Sequence, residues 1–181
     1  MKLLICSDIR GDLDSLTSIL AAYKNEGCER ILVLGDLLYH GPRNNLPSTY
    51  NPKEVIRLLN ENKDVIIAVR GNCDTEVDQM VLEFPIMADY AYLSLDGLGI
   101  FATHGHHHNT KTPPPLREGE VLLHGHTHIY DFLTFGNKNT YINPGSAALP
   151  KENCKRSYMV YENRTFTLKS LDGETIKSLT L

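Results

Sequence analysis

No apolar run in this 181-residue chain approaches the roughly 20 residues that a helix needs to cross a bilayer. The apolar start, Met1 to Cys6, stops at Ser7-Asp8, which is too short for a signal peptide and lacks a small-residue cleavage site. The four cysteines, Cys6, Cys28, Cys73 and Cys154, form no CxxC pair and no dense framework. Reduced thiols and a cytoplasmic location are the expectation. There is no basic excess either: 18 Lys and Arg against 22 Asp and Glu give a formal net charge of −4 with histidines neutral. That argues against a stable nucleic-acid complex. It leaves room for a small phosphorylated substrate, because bound metal would reverse the sign of the local field. Internal repeats and low-complexity tracts are absent as well. The length suits one domain, residues 1–181, large enough to build a core without staples.

What is present begins as alternating strand and helix. Leu3 to Cys6, Ile31 to Leu34 and Val65 to Val69 are unbroken aliphatic runs, as in strands covered on both faces. Asp12 can cap a helix whose apolar face is Leu13, Leu16, Ile19, Leu20 and Tyr23, and Gly27 can end it. Asn51-Pro52 opens a second helix, Glu54 adds a capping-box-like arrangement, and Val55, Ile56, Leu58 and Leu59 form its buried side. Asp74 is expected to cap a short third helix carrying Val77, Met80 and Val81. Helical crossovers between such strands imply parallel pairing. The second half reads as strands at 90–95, 99–103, 121–123, 130–135, 158–161 and 166–171, with turns at Asp96-Gly97 and Gly136 to Asn139. Thr110 to Pro115, with three successive prolines, is a surface loop. The expected fold is α/β, a two-sheet β-sandwich flanked by helices. Exposed β edges in the second half would allow a homo-oligomer.

Polar residues collect where these strands end. Asp8 follows the first, Gly35-Asp36 the second and Gly71-Asn72-Cys73-Asp74 the third. Thr103-His104-Gly105-His106 and Gly125-His126-Thr127-His128 follow two strands of the second half. Ligands bind at the carboxyl ends of strands in open α/β sheets. An Asp after a strand is commonly a cap, and a His-x-His pair is commonly solvated, so no single element is specific. The set of Asp, Asp, Asn and three His is specific, and it is a metal site by ligand type.

That set, in that order, resembles the signature of the calcineurin-like metallophosphoesterases: Asp-x-His, Gly-Asp, Gly-Asn-His-Asp, His, Gly-His-x-His. The segments 34–44 and 69–80, and Asn143-Pro144-Gly145-Ser146, resemble the small bacterial phosphodiesterases of that family. The resemblance implies a four-layer α/β/β/α arrangement and a metal-dependent phosphoesterase, in particular a phosphodiesterase. It further implies that Asp36 bridges two metals, that Asn72, His104 and His126 complete one site, and that Asp8 and His128 belong to the other. A hydroxide between the metals would attack phosphorus in line with the leaving oxygen. Divalent metal, one or two ions, is the implied cofactor, with manganese ahead of iron, zinc, cobalt and nickel.

The chain departs from the signature in two places. Arg10 stands where the Asp-x-His motif has its ligand, and a guanidinium has no lone pair to give. Arg10 then has three readings: a built-in cation beside Asp8, a fork for substrate phosphate, or a solvent-facing side chain beside a weak site. The first is preferred. Loss of that ligand also opens a second function, a non-catalytic scaffold like the retromer subunit of the same fold. Cys73 stands where many relatives carry the His that protonates the leaving group, so a catalytic thiol and a small buried side chain are both open. Asp36, Asn72, Cys73 and His104 form the expected catalytic set, and Arg10, Arg43 and His106 the expected substrate contacts. His106 is also a candidate for orienting a ligand. A surface carboxylate is the alternative partner for Arg43. His107 and His108 are expected to be solvated, and His124 buried and hydrogen-bonded.

Overall fold

The structure, a computed structural model, describes residues 1–181. Eleven strands form two sheets. β1 (Leu3–Cys6), β2 (Arg30–Val33) and β3 (Ile66–Ala68) alternate with helices α1 (Leu13–Asn25) and α2 (Pro52–Glu61); a 3-10 turn at Lys63–Val65 leads into β3. A third helix, α3 (Glu76–Val81), precedes β4 (Tyr90–Leu95), β5 (Leu98–Thr103), β6 (Val121–His124), β7 (Asp131–Phe135) and β8 (Asn139–Asn143). β9 (Ser157–Glu162), β10 (Thr165–Ser170) and β11 (Thr175–Thr180) end the chain. The first sheet runs β11-β10-β9-β1-β2-β3 and the second β4-β5-β6-β8-β7. β1, β2 and β3 are parallel, as are β5, β6 and β8; the remaining pairs are antiparallel.

The aliphatic runs make sense in this frame. In β1, Leu4 and Cys6 join Leu16, Ile19, Val55 and Leu59 in the core under the helices. Leu3 and Ile5, on the other face, meet Ile100, Ala102, Val121, Leu123 and Ile142 of the second sheet. A strand buried on both faces has no use for alternation. Asp12 caps α1 by accepting from the Ser15 backbone N–H, and Asn51 caps α2 by accepting from Glu54. Glu54 itself pairs with Arg57.

The two-sheet α/β expectation holds, with differences in detail. All three helices precede residue 82, and the far face of the second sheet carries a small cluster of Phe101, Leu122 and Tyr141, with Leu116 and Phe135 packed on it. β8 and β11 were not expected, and Asn139, read as a turn, is the first residue of β8. Both strands are short and polar, so their ladder partners define them more than their composition does. α3 is capped by Thr75, whose side chain forms a reciprocal capping box with Asp78. Asp74 is therefore not the cap. Val77, Met80 and Val81 are exposed, Met80 at 84%.

Because β1–β3 run parallel and β5, β6 and β8 run parallel, their carboxyl ends deliver loops to one end of the sandwich. Backbone bonds lash the loops together: Asp8 N donates to Gly35 O at 3.1 Å, Arg10 N to Asp36 O at 3.0 Å, and Ala148 N to Asp8 O at 3.2 Å.

Candidate metal centre

Asp8, Asp36, Asn72, Cys73, His104, His126 and His128 converge at that end, as the strand-end pattern predicts, and Arg10 lies among them. Several sit on strained backbone. Asp8, Arg10, Asp36, His126 and His128 have φ between 56° and 66°, a left-handed conformation uncommon outside glycine. Such strain at a cluster of polar side chains is typical of functional sites.

Asp36 is fully buried. Its Oδ1 accepts from Cys73 N at 2.8 Å. Its Oδ2 lies against Arg10 Nη2 and 3.2 Å from His104 Nε2, yet receives no well-aimed hydrogen bond. Gly71 is what lets the loops close this tightly, since a Cβ there would stand 2.1 Å from Asp36 Oδ1. The histidines are set by backbone carbonyls. His104 Nδ1 lies 2.6 Å from Leu34 O, and His128 Nδ1 lies 2.5 Å from Leu149 O. A carbonyl only accepts, so each Nδ1 carries a proton and each Nε2 faces the centre, where it can give a lone pair once a cation displaces any proton held there.

Asn72 Oδ1 stands 3.0 Å from His104 Nε2 and 2.8 Å from His126 Nδ1, which is itself 3.2 Å from His104 Nε2. These three atoms and Asp36 Oδ2 are the donor types that a borderline divalent metal takes. So many lone pairs at one point are reconciled by a cation, and the residues fit a divalent metal. Asp8, Asp36 and His104 offer a second view of the same cluster, their ligand atoms all within 4.8 Å of one another.

The electrostatics agree. Burial alone would raise the Asp8 carboxyl, but its contact with His128 and the charges of His104 and Arg10 hold it well below the usual carboxylate range. Burial opposes charge on His104, but Asp36 and Asp8 outweigh it and push the imidazole up to about 9. A field that holds a proton there would equally hold a cation. Burial raises the Cys73 thiol, as does Asp36, against the opposing pull of Arg10. Cys73 is thus a neutral thiol at neutral pH rather than a thiolate.

Arg10 points inward and is 3% exposed. Its Nε and Nη2 donate to Asp8 Oδ1 at 3.1 and 2.7 Å, and its Nη2 faces His128 Nε2 at 3.0 Å. Its Nη1 donates to His40 O at 3.3 Å and Cys73 Sγ at 3.2 Å. The solvent-facing reading of Arg10 is thereby removed.

Two clefts flank the centre, with His126 and Thr127 on the ridge between them. One, about 520 Å³, is lined by Arg10, Gly41, Arg43, Asn72, Cys73 and Lys151. The other, about 510 Å³, is lined by His106, Asn109, Lys111, His124, Asp131 and Tyr141. Arg43 is exposed, on the rim of the first of these clefts. Burial, then the neighbouring His104 and His107, lower His106 to about 4. His107 is exposed, as expected, whereas His108 packs edge-on against Phe101 at 5.5 Å.

The sequence reading missed the residues that hold the loops. Asp74 accepts from the backbone N–H groups of Asp36 at 2.8 Å, Leu37 at 2.9 Å and Gly71 at 2.7 Å. Ser7 Oγ donates to Asp8 Oδ2 at 2.8 Å. Asn143 Nδ2 donates to Gly125 O and Thr127 Oγ1, both at 2.9 Å, and so fixes the His126–His128 loop. Lys151 adds a cation to the rim of the Arg43 cleft. Asn143, in the Asn-Pro-Gly-Ser run, and Asp74, in the Gly-Asn-Cys-Asp run, had a signal in the sequence.

His124 is buried with its Nε2 unpartnered, and burial lowers its imidazole to about 4 from 6.5. The unfolded chain takes up that proton first as pH falls, so stability is lost between about pH 6.5 and 4. The full loss is about 3 kcal/mol. In His124→Phe, urea midpoints recorded across this range should fall less steeply than in the unaltered chain.

A fold of two such sheets with Asp, Asn and His at the strand ends defines a metal-site hydrolase class, and comparison makes it specific. Residues 1–165 match the family model of the calcineurin-like phosphoesterase superfamily domain, and the chain belongs to that superfamily. It is 40% identical over 176 residues to phosphodiesterase YfcE of Escherichia coli K12, covering 97% of this chain and 95% of that one. A solved structure of the Escherichia coli phosphoesterase superposes with a TM-score of 0.96 over 99% of each chain. Phosphodiesterase MJ0936 of Methanocaldococcus jannaschii is 29% identical over 153 residues, covering 80% and 83%. A Vps29 structure from Cryptosporidium parvum shares the fold, with a TM-score of 0.63 at 17% identity over 99% and 98%.

Proposed function

We propose that the chain, acting as one domain, is a phosphodiesterase whose divalent metal is held by Asp36, Asn72, His104 and His126, with manganese the favoured ion. The observation that carries this reading is the meeting of three metal-type ligand atoms, on Asn72, His104 and His126, at the buried Asp36 Oδ2. When bound, such a metal would lower the pKa of water to make a nucleophile and would neutralise charge developing on the phosphate. Asp8 and His128 border the same centre. The chain's own residues supply the rest. Arg43 and Lys151 draw the phosphate into their cleft by charge, and Asn72 and His126 align it. The two clefts on either side of His126 and Thr127 support a diester, one substituent lying in each. His106, uncharged at neutral pH, faces the substituent on its own side. Cys73, as a neutral thiol, holds Arg10 and lines the phosphate cleft. The reduced cysteines support a cytoplasmic location, and the bare Val77, Met80 and Val81 on α3 support a homo-oligomer.

Hydrolysis of bis(p-nitrophenyl) phosphate should appear with added manganese, vanish on chelation, and return when the ion is restored. Metal binding with no turnover of this or other diesters would sink the enzyme reading and leave the scaffold.

A further inference from the structure

We propose that Arg10 is itself the second cation of this centre, so that the chain takes one divalent ion where its family signature leads one to expect two. The inference rests on the metallophosphoesterase reading above and concerns how that site is filled. The ion would lie on Asp36, Asn72, His104 and His126, and the guanidinium would stay between Asp8 and His128.

The donors on the Asp8 side are already spent. Asp8 Oδ2 takes the Ser7 hydroxyl at 2.8 Å and the His126 N–H at 3.2 Å. Its other oxygen, Oδ1, takes both Nε and Nη2 of Arg10. His128 gives the proton on Nδ1 to Leu149 O, so its only lone pair is on Nε2, and that lone pair meets Arg10 Nη2 at 3.0 Å. Asp8 Oδ1 and His128 Nε2 are 3.2 Å apart. An ion bound to both would sit about 2.0–2.2 Å from each. Arg10 Nη2 stands in that space, against the same two atoms and Asp36 Oδ2.

The seat is built for the arginine. Nη1 is held from behind by His40 O and Cys73 Sγ. Gly41, at φ 88°, passes close by, and a Cβ there would stand 2.9 Å from Nη1. By contrast, no hydrogen bond from Arg10 reaches Asn72, His104 or His126; of the four ligands on that side only Asp36 touches it, through Oδ2, which would face the guanidinium and the ion at once. Charge points the same way. Arg10 cancels one of the two buried carboxylates, and a single divalent ion more than cancels the other. A further ion would have to bind at contact distance from a guanidinium that does not deprotonate.

The test is to count ions. Manganese-equilibrated, desalted protein should show one ion per chain by native mass spectrometry, and Arg10→His should show two. Two ions on the unaltered chain, or one on Arg10→His, would overturn the role of Arg10 while leaving the metal site standing. No ion on either would sink both this inference and the metallophosphoesterase site. Anomalous diffraction at the manganese edge from the unaltered protein decides the matter if the variant fails to fold. One peak beside His104 and His126, with Arg10 still on Asp8, is expected; a second peak between Asp8 and His128 would overturn the inference.

Discussion

Asp36→Asn should lower metal-dependent turnover by roughly a thousandfold or more, a loss on the scale seen when a principal electrostatic group is removed from a reaction centre. The carboxylate is the one group that touches both halves of the centre, with Arg10 on one side and His104 on the other. An amide keeps Oδ1, so the bond from Cys73 N survives and the fold should hold. What goes is the charge, and with it the attraction for a cation on Oδ2. Metal content per chain should fall alongside the rate, with a circular dichroism spectrum like that of the unaltered protein. Turnover close to that of the unaltered chain would mean that the chemistry lies elsewhere.

Asp74→Ala should produce the largest loss of stability of any single change near the site. One carboxylate takes three backbone N–H groups from two loops, those of Asp36, Leu37 and Gly71. Each buried donor left without a partner costs about 1–3 kcal/mol. A summed penalty of roughly 3–9 kcal/mol is a large share of the 5–15 kcal/mol typical of whole domains. Chemical denaturation of the metal-free protein would measure it. A midpoint shift worth less than about 1 kcal/mol would show that water replaces the carboxylate, which its burial argues against.

These two aspartates also show what a sequence can reveal. The place of Asp36 was legible because it follows from local order: a buried strand, a glycine, then an acid at the strand's carboxyl end. Asp8, Asn72, His104, His126 and His128 were legible for the same reason. Asp74 has the same local context and was misread as a cap, because its partners come from the loop after β2, far along the chain. Lys151 reaches the rim only because the chain after β8 returns past Ser146 and Leu149, and β8 itself was missed. Its sequence, Asn-Thr-Tyr-Ile-Asn, is polar and short. The strand exists because β6 and β7 offer it ladders on both sides. Arg10 was half legible: its chemistry excluded a ligand role, but where the side chain points depends on His40, Gly41 and Cys73, contacts made only once three loops have met.

β1 is paired on one side with β2, close behind it, and on the other with β9, Leu3 opposite Tyr161. During synthesis β2 follows β1 closely, whereas β9 begins only at Ser157. Until β9 emerges β1 waits with one edge bare, and bare edges of apolar strands recruit other chains. The loop carrying Asp8 and Arg10 cannot take its final place until that edge is closed, since Ala147 and Ala148, which hold Ser7 and Asp8, also come late. A chain stopped before residue 157 would thus carry every acid and histidine of the centre while β1, the strand that leads into Asp8 and Arg10, still lacked a ladder on one edge.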